Sequence, residues 1–480
     1  MKPSLAILVG LLSLLQPVLG QEKKTVGAAA EAEYYSFGSA DGLSMQEAVK
    51  AVSKQGVHWC ALPMVGLNQQ TGLTGRIAGT LYDFGGRPRY PNYDQMLYGE
   101  ASYSTRRAGC FRLYYDTKRL VKGFKLDFDI AYQPDALWDF YGYNGYQAKY
   151  NPYLINPFFN DNFYLHDNPA YTNSAFYRMK RNLFRFAAEI RGKINDTVGI
   201  YWHAGAGARH YAAGRVDYGA YNRGKASFDQ LADTVTLFDL YRQWGLIEEA
   251  EAAGGWHPYL RAGVSIDRRD REINPQRGFY GDLFFTGTLG CGPLSDYSNV
   301  KANFNWKHHV ELWREVVNLA YMAGGQLLIA GDSPFYMNGT IDQLLTQRDM
   351  FDGTGNANLP RGMLRNRVLG KGFGYASVEL HVNVFKFRVK RDLMVVSLNP
   401  FVDQLMILQP YDLEGADKAE ASASHFCGDK SPYIPHVTAG LGARLSVGTD
   451  FAVSLDWAAP LNEQDNDRLT NFYLSVGYLF

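Results

Sequence analysis

The 480-residue chain is poor in cysteine: it has four, Cys60, Cys110, Cys291 and Cys427, and none is spaced as a metal knuckle. Charge is also scarce. Charged residues make up 20% of the chain, below the usual quarter, and the 48 basic side chains are cancelled by 48 acidic ones. A balanced charge argues against a nucleic-acid partner. Past residue 20 no stretch approaches the run of about 18 apolar residues that a spanning helix needs, which excludes helical membrane spans. Gly-x-Ser-x-Gly occurs nowhere, so a lipase domain is excluded too.

What is abundant is aromatic side chains and glycine: 33 Tyr, 28 Phe and 49 Gly. A chain polar on average yet rich in these residues fits an outer-membrane β-barrel. Residues 1–20 read as a signal peptide, with Lys2 at the start, an apolar Leu5–Leu15 and Val18-Leu19-Gly20 before a cut at Gln21. Residues 21–56 form a short periplasmic N-terminal segment, with a helix expected over Ser44–Ser53. Residues 57–480 make the barrel domain.

The last eleven residues carry the pattern most plainly. Phe472, Leu474, Val476, Tyr478 and Phe480 fall on one side of a strand, and Tyr473, Ser475, Gly477 and Leu479 on the other. In 124–132, Phe124, Leu126, Phe128, Ile130 and Tyr132 alternate with Lys125, Asp127, Asp129 and Ala131. Sixteen segments of this kind are expected, near 57–65, 74–84, 96–105, 108–117, 122–132, 182–192, 196–212, 256–266, 278–289, 301–311, 314–329, 373–385, 393–404, 435–447, 449–459 and 470–480. Connections after the odd-numbered segments include the long ones, 133–181, 213–255, 330–372 and 405–434, whereas those after even-numbered segments are mostly short. Short inner turns and long outer loops are a barrel's parity. The fold class is therefore all-β, a sixteen-stranded antiparallel transmembrane β-barrel with long outer loops.

Within the loops, 134–179 suits a packed aromatic cap and 228–252 one or two short helices. Cys291 and Cys427 both fall in outer loops, where pairing after export is chemically open to them. His309 and Glu311 share the lumen face without a third ligand and read as polar lining rather than a metal site. Gly331-Asp-Ser333 lacks the strand-to-helix elbow a nucleophilic serine needs. No catalytic residues, metal or cofactor are expected.

Three stretches resemble the barrel domain of the BamA/TamA superfamily, the bacterial surface-antigen outer-membrane proteins. Asp267-Arg-Arg-Asp270, followed by Pro275 and Gly278, resembles the family's inner turn. Leu359-Pro-Arg361-Gly362-Met363 resembles the Arg-Gly tip of its long sixth outer loop, although the family usually has a larger aromatic or aliphatic group where Met363 stands. Glu379 and Asp403 match acidic positions on the next two strands. The resemblance implies a sixth loop folded into the lumen. Val378, Leu380, Val382 and Val384 would face lipid, turning Glu379 and His381 inward, and the fork of Arg361 would span Glu379 and Asp403 as a latch. Phe472, Leu474, Val476, Tyr478 and Phe480 resemble the β-signal read by outer-membrane assembly machinery. The family carries periplasmic POTRA modules before the barrel, and a lead of about 36 residues cannot hold one. The implied role is accessory: insertion or translocation of proteins, or lipids, in a Gram-negative outer membrane. Partners would be the lipid bilayer, the assembly machinery, and client barrels or a lipoprotein. A passive pore and a surface structural barrel are the alternatives.

Overall fold

The computed structural model describes Tyr34–Tyr35 and residues 55–477 apart from 69–70, 87–92, 152–173, 228–229, 271–274, 293–294, 315, 348–352, 356–358, 390–391, 414–427, 429, 448–450 and 463–470. The signal peptide expected over 1–20, the Ser44–Ser53 helix, Cys427, Tyr478 and Phe480 lie outside the described residues, as does all of 21–56 except Tyr34–Tyr35 and 55–56.

Eighteen strands form one antiparallel sheet. In chain order they are β1 (Tyr34–Tyr35), β2 (Val57–Asn68), β3 (Gly72–Asp83), β4 (Gln95–Ser104), β5 (Gly109–Thr117), β6 (Phe124–Gln133), β7 (Trp138–Asp139), β8 (Arg178–Asn195) and β9 (Ile200–Gly214). They continue as β10 (Gly254–Asp267), β11 (Gly278–Thr288), β12 (Asn299–Trp313), β13 (Val317–Gly331), β14 (Gly372–Val389), β15 (Asp392–Gln409), β16 (His436–Val447), β17 (Phe451–Pro460) and β18 (Asn471–Gly477). Each of the sixteen segments named above overlaps one of the longer strands, with 478–480 outside the described residues. The difference from the expected sixteen is β1 and β7, two residues each, too short to leave an alternating pattern. β1 pairs with the far end of β14, Tyr34 opposite Phe387, and β7 pairs with the start of β8. In the strand order β18 neighbours β2, and β9 pairs with β10.

Burial along these strands runs opposite to that of a water-soluble sheet. In β6, Phe128, Ile130 and Tyr132 are 39%, 45% and 43% exposed, whereas Asp127 and Asp129 are 0% and 2% exposed. A sheet that exposes its apolar face and hides its carboxylates is stable only where its surroundings are apolar and its polar face is enclosed. No helix among the described residues is long and apolar enough to cross a membrane. At Val384 a register shift in the β14–β15 ladder reverses the alternation, so the exposed apolar side chain there is Phe385.

The long connections 134–177, 215–253, 332–371 and 410–435 leave from one end of the sheet. The first three pack together as an aromatic cap around Trp138, Phe140, Phe238, Tyr241, Phe335 and Tyr336, and Tyr411 of the fourth stacks against it. The Phe140 ring stands edge-on to Tyr241, Phe335 and Phe238 at 5.2, 5.6 and 6.2 Å between centroids. Leu237–Gln243 begins in a capping box of Thr236 and Asp239, and the short helix Glu249–Ala252, without a side-chain cap, follows it.

Phe238→Ala is expected to lower the local stability of the cap by about 3–5 kcal/mol. Amide exchange of 237–243 would accelerate while that of β6 and β8 holds. Equal acceleration in both would mean that cap and sheet unfold together.

Candidate functional site

β14 and β15 bring two carboxylates to the interior side by side. Ser377 lies opposite Asp403 and Glu379 opposite Phe401, so Glu379 and Asp403 are diagonal neighbours on one face. The connection between β13 and β14 descends to them. The backbone amide of Arg361 donates to Asp403 Oδ2 at 3.0 Å. Its guanidinium donates from Nε to Oδ2 at 2.8 Å, from Nη2 to Oδ1 at 3.0 Å, and from Nη1 to Glu379 Oε2 at 2.8 Å. The Cζ of the fork lies over Phe401, 3.4 Å from its ring centroid. Burial alone would depress the pKa of Arg361, but Asp403 and Glu379 hold it raised.

The remaining lone pairs of the carboxylates are occupied as well. Ser377 Oγ donates to Asp403 Oδ1 at 2.7 Å. Asn399 Nδ2, His381 Nε2 and Arg444 Nη2 stand 3.1, 2.9 and 3.2 Å from Glu379 Oε1. A buried ion pair offsets its desolvation only when such further bonds are made.

Gly362 takes φ +91°, and a Cβ there would meet Ala458 Cβ at 2.8 Å. Its amide donates to Tyr473 Oη at 3.1 Å, so the tip that holds β14 and β15 also touches β17 and β18. Met363 is buried with Leu359, Phe373 and Leu405.

A second set of contacts, silent in the sequence, holds the same connection to β8, β9, β10 and β13. Asp342 pairs with Arg209 of β9. Arg261 of β10 donates to Glu189 of β8 at 2.5 Å and to the Gln343 carbonyl at 2.8 Å, and the Leu345 amide donates to Glu189 Oε2 at 2.8 Å. Gln326 of β13 accepts from the Asp342 amide at 3.0 Å. Glu189 sits on a charged strand face that alternation reveals, but Arg209 stands among Gly and Ala, and Asp342 lies in a loop with no motif. Above both sets, Arg365 ties the connection to Asp135 and Asp139 at 2.7 Å each, and so to the cap.

The residues of the inner-turn motif also come together. Asp267 chelates the guanidinium of its neighbour Arg269 at 2.9 and 2.8 Å. Asp270 accepts from the amides of Gln276 and Arg277 at 3.0 and 3.4 Å, next to buried Pro275. Gly278 has φ +96°, where any Cβ would strike the Arg268 carbonyl. Of the terminal strand, Phe472 is exposed and Tyr473 buried, in phase with the expected alternation. Leu474 and Val476 stand opposite Leu455 and Val453 of β17. No cluster of three or more His, Cys, Asp or Glu suited to a metal occurs among the described residues.

An antiparallel sheet, apolar outside and charged within, with an outer connection turned back into its interior, defines an outer-membrane β-barrel. The model of the Omp85 superfamily domain matches residues 95–480, and the chain belongs to that superfamily. Among solved structures, BamA from Haemophilus ducreyi lacking POTRA domains 1-3 is similar at 14% identity and a TM-score of 0.50, over 88% of this chain and 71% of that one. CdiB from Escherichia coli aligns at 11% identity and TM-score 0.45 over 93% of this chain, which spans 65% of the CdiB chain. CdiB from Acinetobacter baumannii aligns at 10% and 0.45 over 88% of this chain, which spans 59% of it. No curated protein sequence matches.

Arg361→Ala and Asp403→Ala are each expected to destabilise the folded protein by about 3–5 kcal/mol, since each strands a buried charge. Unfolding by denaturant in micelles should give a double variant that falls short of the sum of the two single ones by about 1–3 kcal/mol; strict additivity would mean the pair is not coupled.

Asp342→Asn should leave Arg209 without its buried counter-charge and make the 332–371 connection more sensitive to limited proteolysis. An unchanged cleavage pattern would show that the second contact set adds nothing to its anchoring.

Proposed function

We propose that this chain is an accessory insertion or translocation barrel of a Gram-negative outer membrane, acting on proteins or lipids, and not an enzyme. In this reading the sixteen longer strands close into one barrel, with β18 against β2, and the lipid bilayer is the constant partner. The observation that carries it is the position of the 332–371 connection: Arg361 bonded to Glu379 and Asp403, and Gly362 bonded to Tyr473 on β18. A loop latched there braces the interior and touches the closing strand, so the β2–β18 seam is the natural gate. Gly66 and Gly477 weaken side-chain packing beside it. The resemblance of Phe472, Leu474, Val476, Tyr478 and Phe480 to the β-signal suits delivery by the assembly machinery, and client barrels or a lipoprotein are the further partners.

The latched loop and the aromatic cap favour this reading over a passive pore. A pore needs an open lumen, whereas this one is crossed by two sets of buried ion pairs. A surface structural barrel, acting through the cap alone, would not need the bond to Tyr473.

A disulfide engineered between β2 and β18, in a chain otherwise free of cysteine, is expected to abolish insertion of a client barrel into liposomes when oxidised and to restore it when reduced. Equal insertion in both states would sink the gate. Single-channel recordings should give small, erratic conductance; large steady steps would favour the pore.

A further inference from the structure

β14 outruns its neighbour at the end of the sheet opposite the long connections. β13 begins at Val317, opposite Val382, and the Val316 carbonyl accepts from the Asn383 amide at 2.8 Å. β14 continues to Val389, with β15 along its other edge from Val396 opposite Phe385 to Asp392 opposite Val389. The register shift at Val384 falls where the β13 ladder stops, a common place for a bulge. A strand edge that outlasts its neighbour is a template for another extended segment. Here the template is in use: Tyr34 stands opposite Phe387 and Tyr35 opposite Lys386, antiparallel to β14.

The two sequences match beyond those two pairs. The hairpin tip reads Lys386-Phe-Arg388-Val-Lys390-Arg391-Asp392, four bases and one acid. Glu31-Ala-Glu33 precedes Tyr34, and between Lys24 and Lys50 the chain has four acids, Glu31, Glu33, Asp41 and Glu47, and no base. Carrying the register on, past the described residues, sets Glu33 at Arg388, Ala32 at Val389 and Glu31 at Lys390. Positions directly opposite each other share a face of the sheet. One face then takes Glu31, Glu33 and Tyr35 against Lys390, Arg388 and Lys386. The other takes Ala32 and Tyr34 against Val389 and Phe387. A slip of one residue sets Glu33 against Phe387 or Val389, so the pattern specifies a single register.

We propose that the projecting edge of β14 is a strand-addition site for an acidic, alternating segment, and that its occupant is residues 31–35 of the same chain. Bases along a sheet edge usually repel a second strand. These select one that carries Glu at every second position, while main-chain bonds supply the attachment. The lead before the sheet is thereby fixed at β14 as well as at β2, where the wall begins. β15, β16 and β17 separate the site from the β2–β18 seam, and it stands whether or not the barrel inserts clients.

The full chain, its native cysteines replaced by serine, would be folded in micelles and oxidised with one cysteine on each side. Tyr34→Cys with Phe387→Cys, and Glu33→Cys with Arg388→Cys, are expected to close within one chain, because directly opposite Cβ atoms lie about 4.5–5.5 Å apart. Glu33→Cys with Phe387→Cys, one residue out of register and on opposite faces, is expected to stay open. Reversing the acids with Glu31→Lys and Glu33→Lys should slow closure of the Tyr34→Cys and Phe387→Cys pair about tenfold. Adding Arg388→Glu and Lys390→Glu should restore it. Amide exchange of the unaltered chain gives the answer even if the cysteine variants fail to fold: exchange within 31–35 should be slowed, and charge reversal should release it. Equal closure of matched and mismatched pairs, a bridge between two chains, closure unmoved by charge reversal, or unprotected amides in 31–35 of the unaltered chain would overturn the proposal.

Discussion

A sheet whose charged face is turned away from bulk water must neutralise those charges from within, because an unpaired buried ion costs several kcal/mol. Most of the wall does so by itself. Asp129 sits between Arg112 and Arg185, and Lys125 beside Asp116. Two regions of the wall depend on the 332–371 connection for a charge of opposite sign. The β14–β15 wall offers two carboxylates and receives Arg361; the β9–β10 wall offers Arg209 and Arg261 and receives Asp342. Two of the loop's charges, opposite in sign and 19 positions apart, are thus each matched to their own wall. The seating of the loop is fixed by sign: a loop shifted from one wall toward the other would place like charges together.

The strands were legible because a transmembrane sheet repeats one rule at every second residue, and that rule needs no tertiary knowledge. Phe124–Tyr132 and Leu260–Ile266 show it unaided. Arg361, Glu379 and Asp403 were legible through the resemblance to the BamA/TamA barrels, whose loop tip and acidic strand positions they match. The parity of short and long connections gave the ends of the sheet. What stayed hidden lies where contacts join distant parts of the chain without local pattern. Asp342 is one acid in a polar loop, and nothing within ten residues announces Arg209. Tyr473 reads as one more residue on the polar side of the last strand; its bond to Gly362 depends on a loop 111 residues away. The phase reversal at Val384 escaped for a different reason. A single extra residue in a strand leaves both halves of the pattern intact and shifts only their relation.

The cap belongs to the same logic. Its aromatic rings are buried against one another and not against lipid, so the loops form a small core of their own on top of the sheet. Arg365 joins that core to the loop below it through Asp135 and Asp139. Cap, loop and wall are thereby linked, and by reciprocity whatever tightens one must favour the ordered form of the others.

The bond from the Gly362 amide to the Tyr473 hydroxyl carries a consequence for the order of assembly. β18 is the last of the described strands, and Ala458 and Tyr473 form the surface on which the loop tip rests. Until β17 and β18 have joined the sheet that surface does not exist, and the tip has no place to settle. A fully seated loop is therefore a record that the sheet has been completed, written by the chain into its own interior.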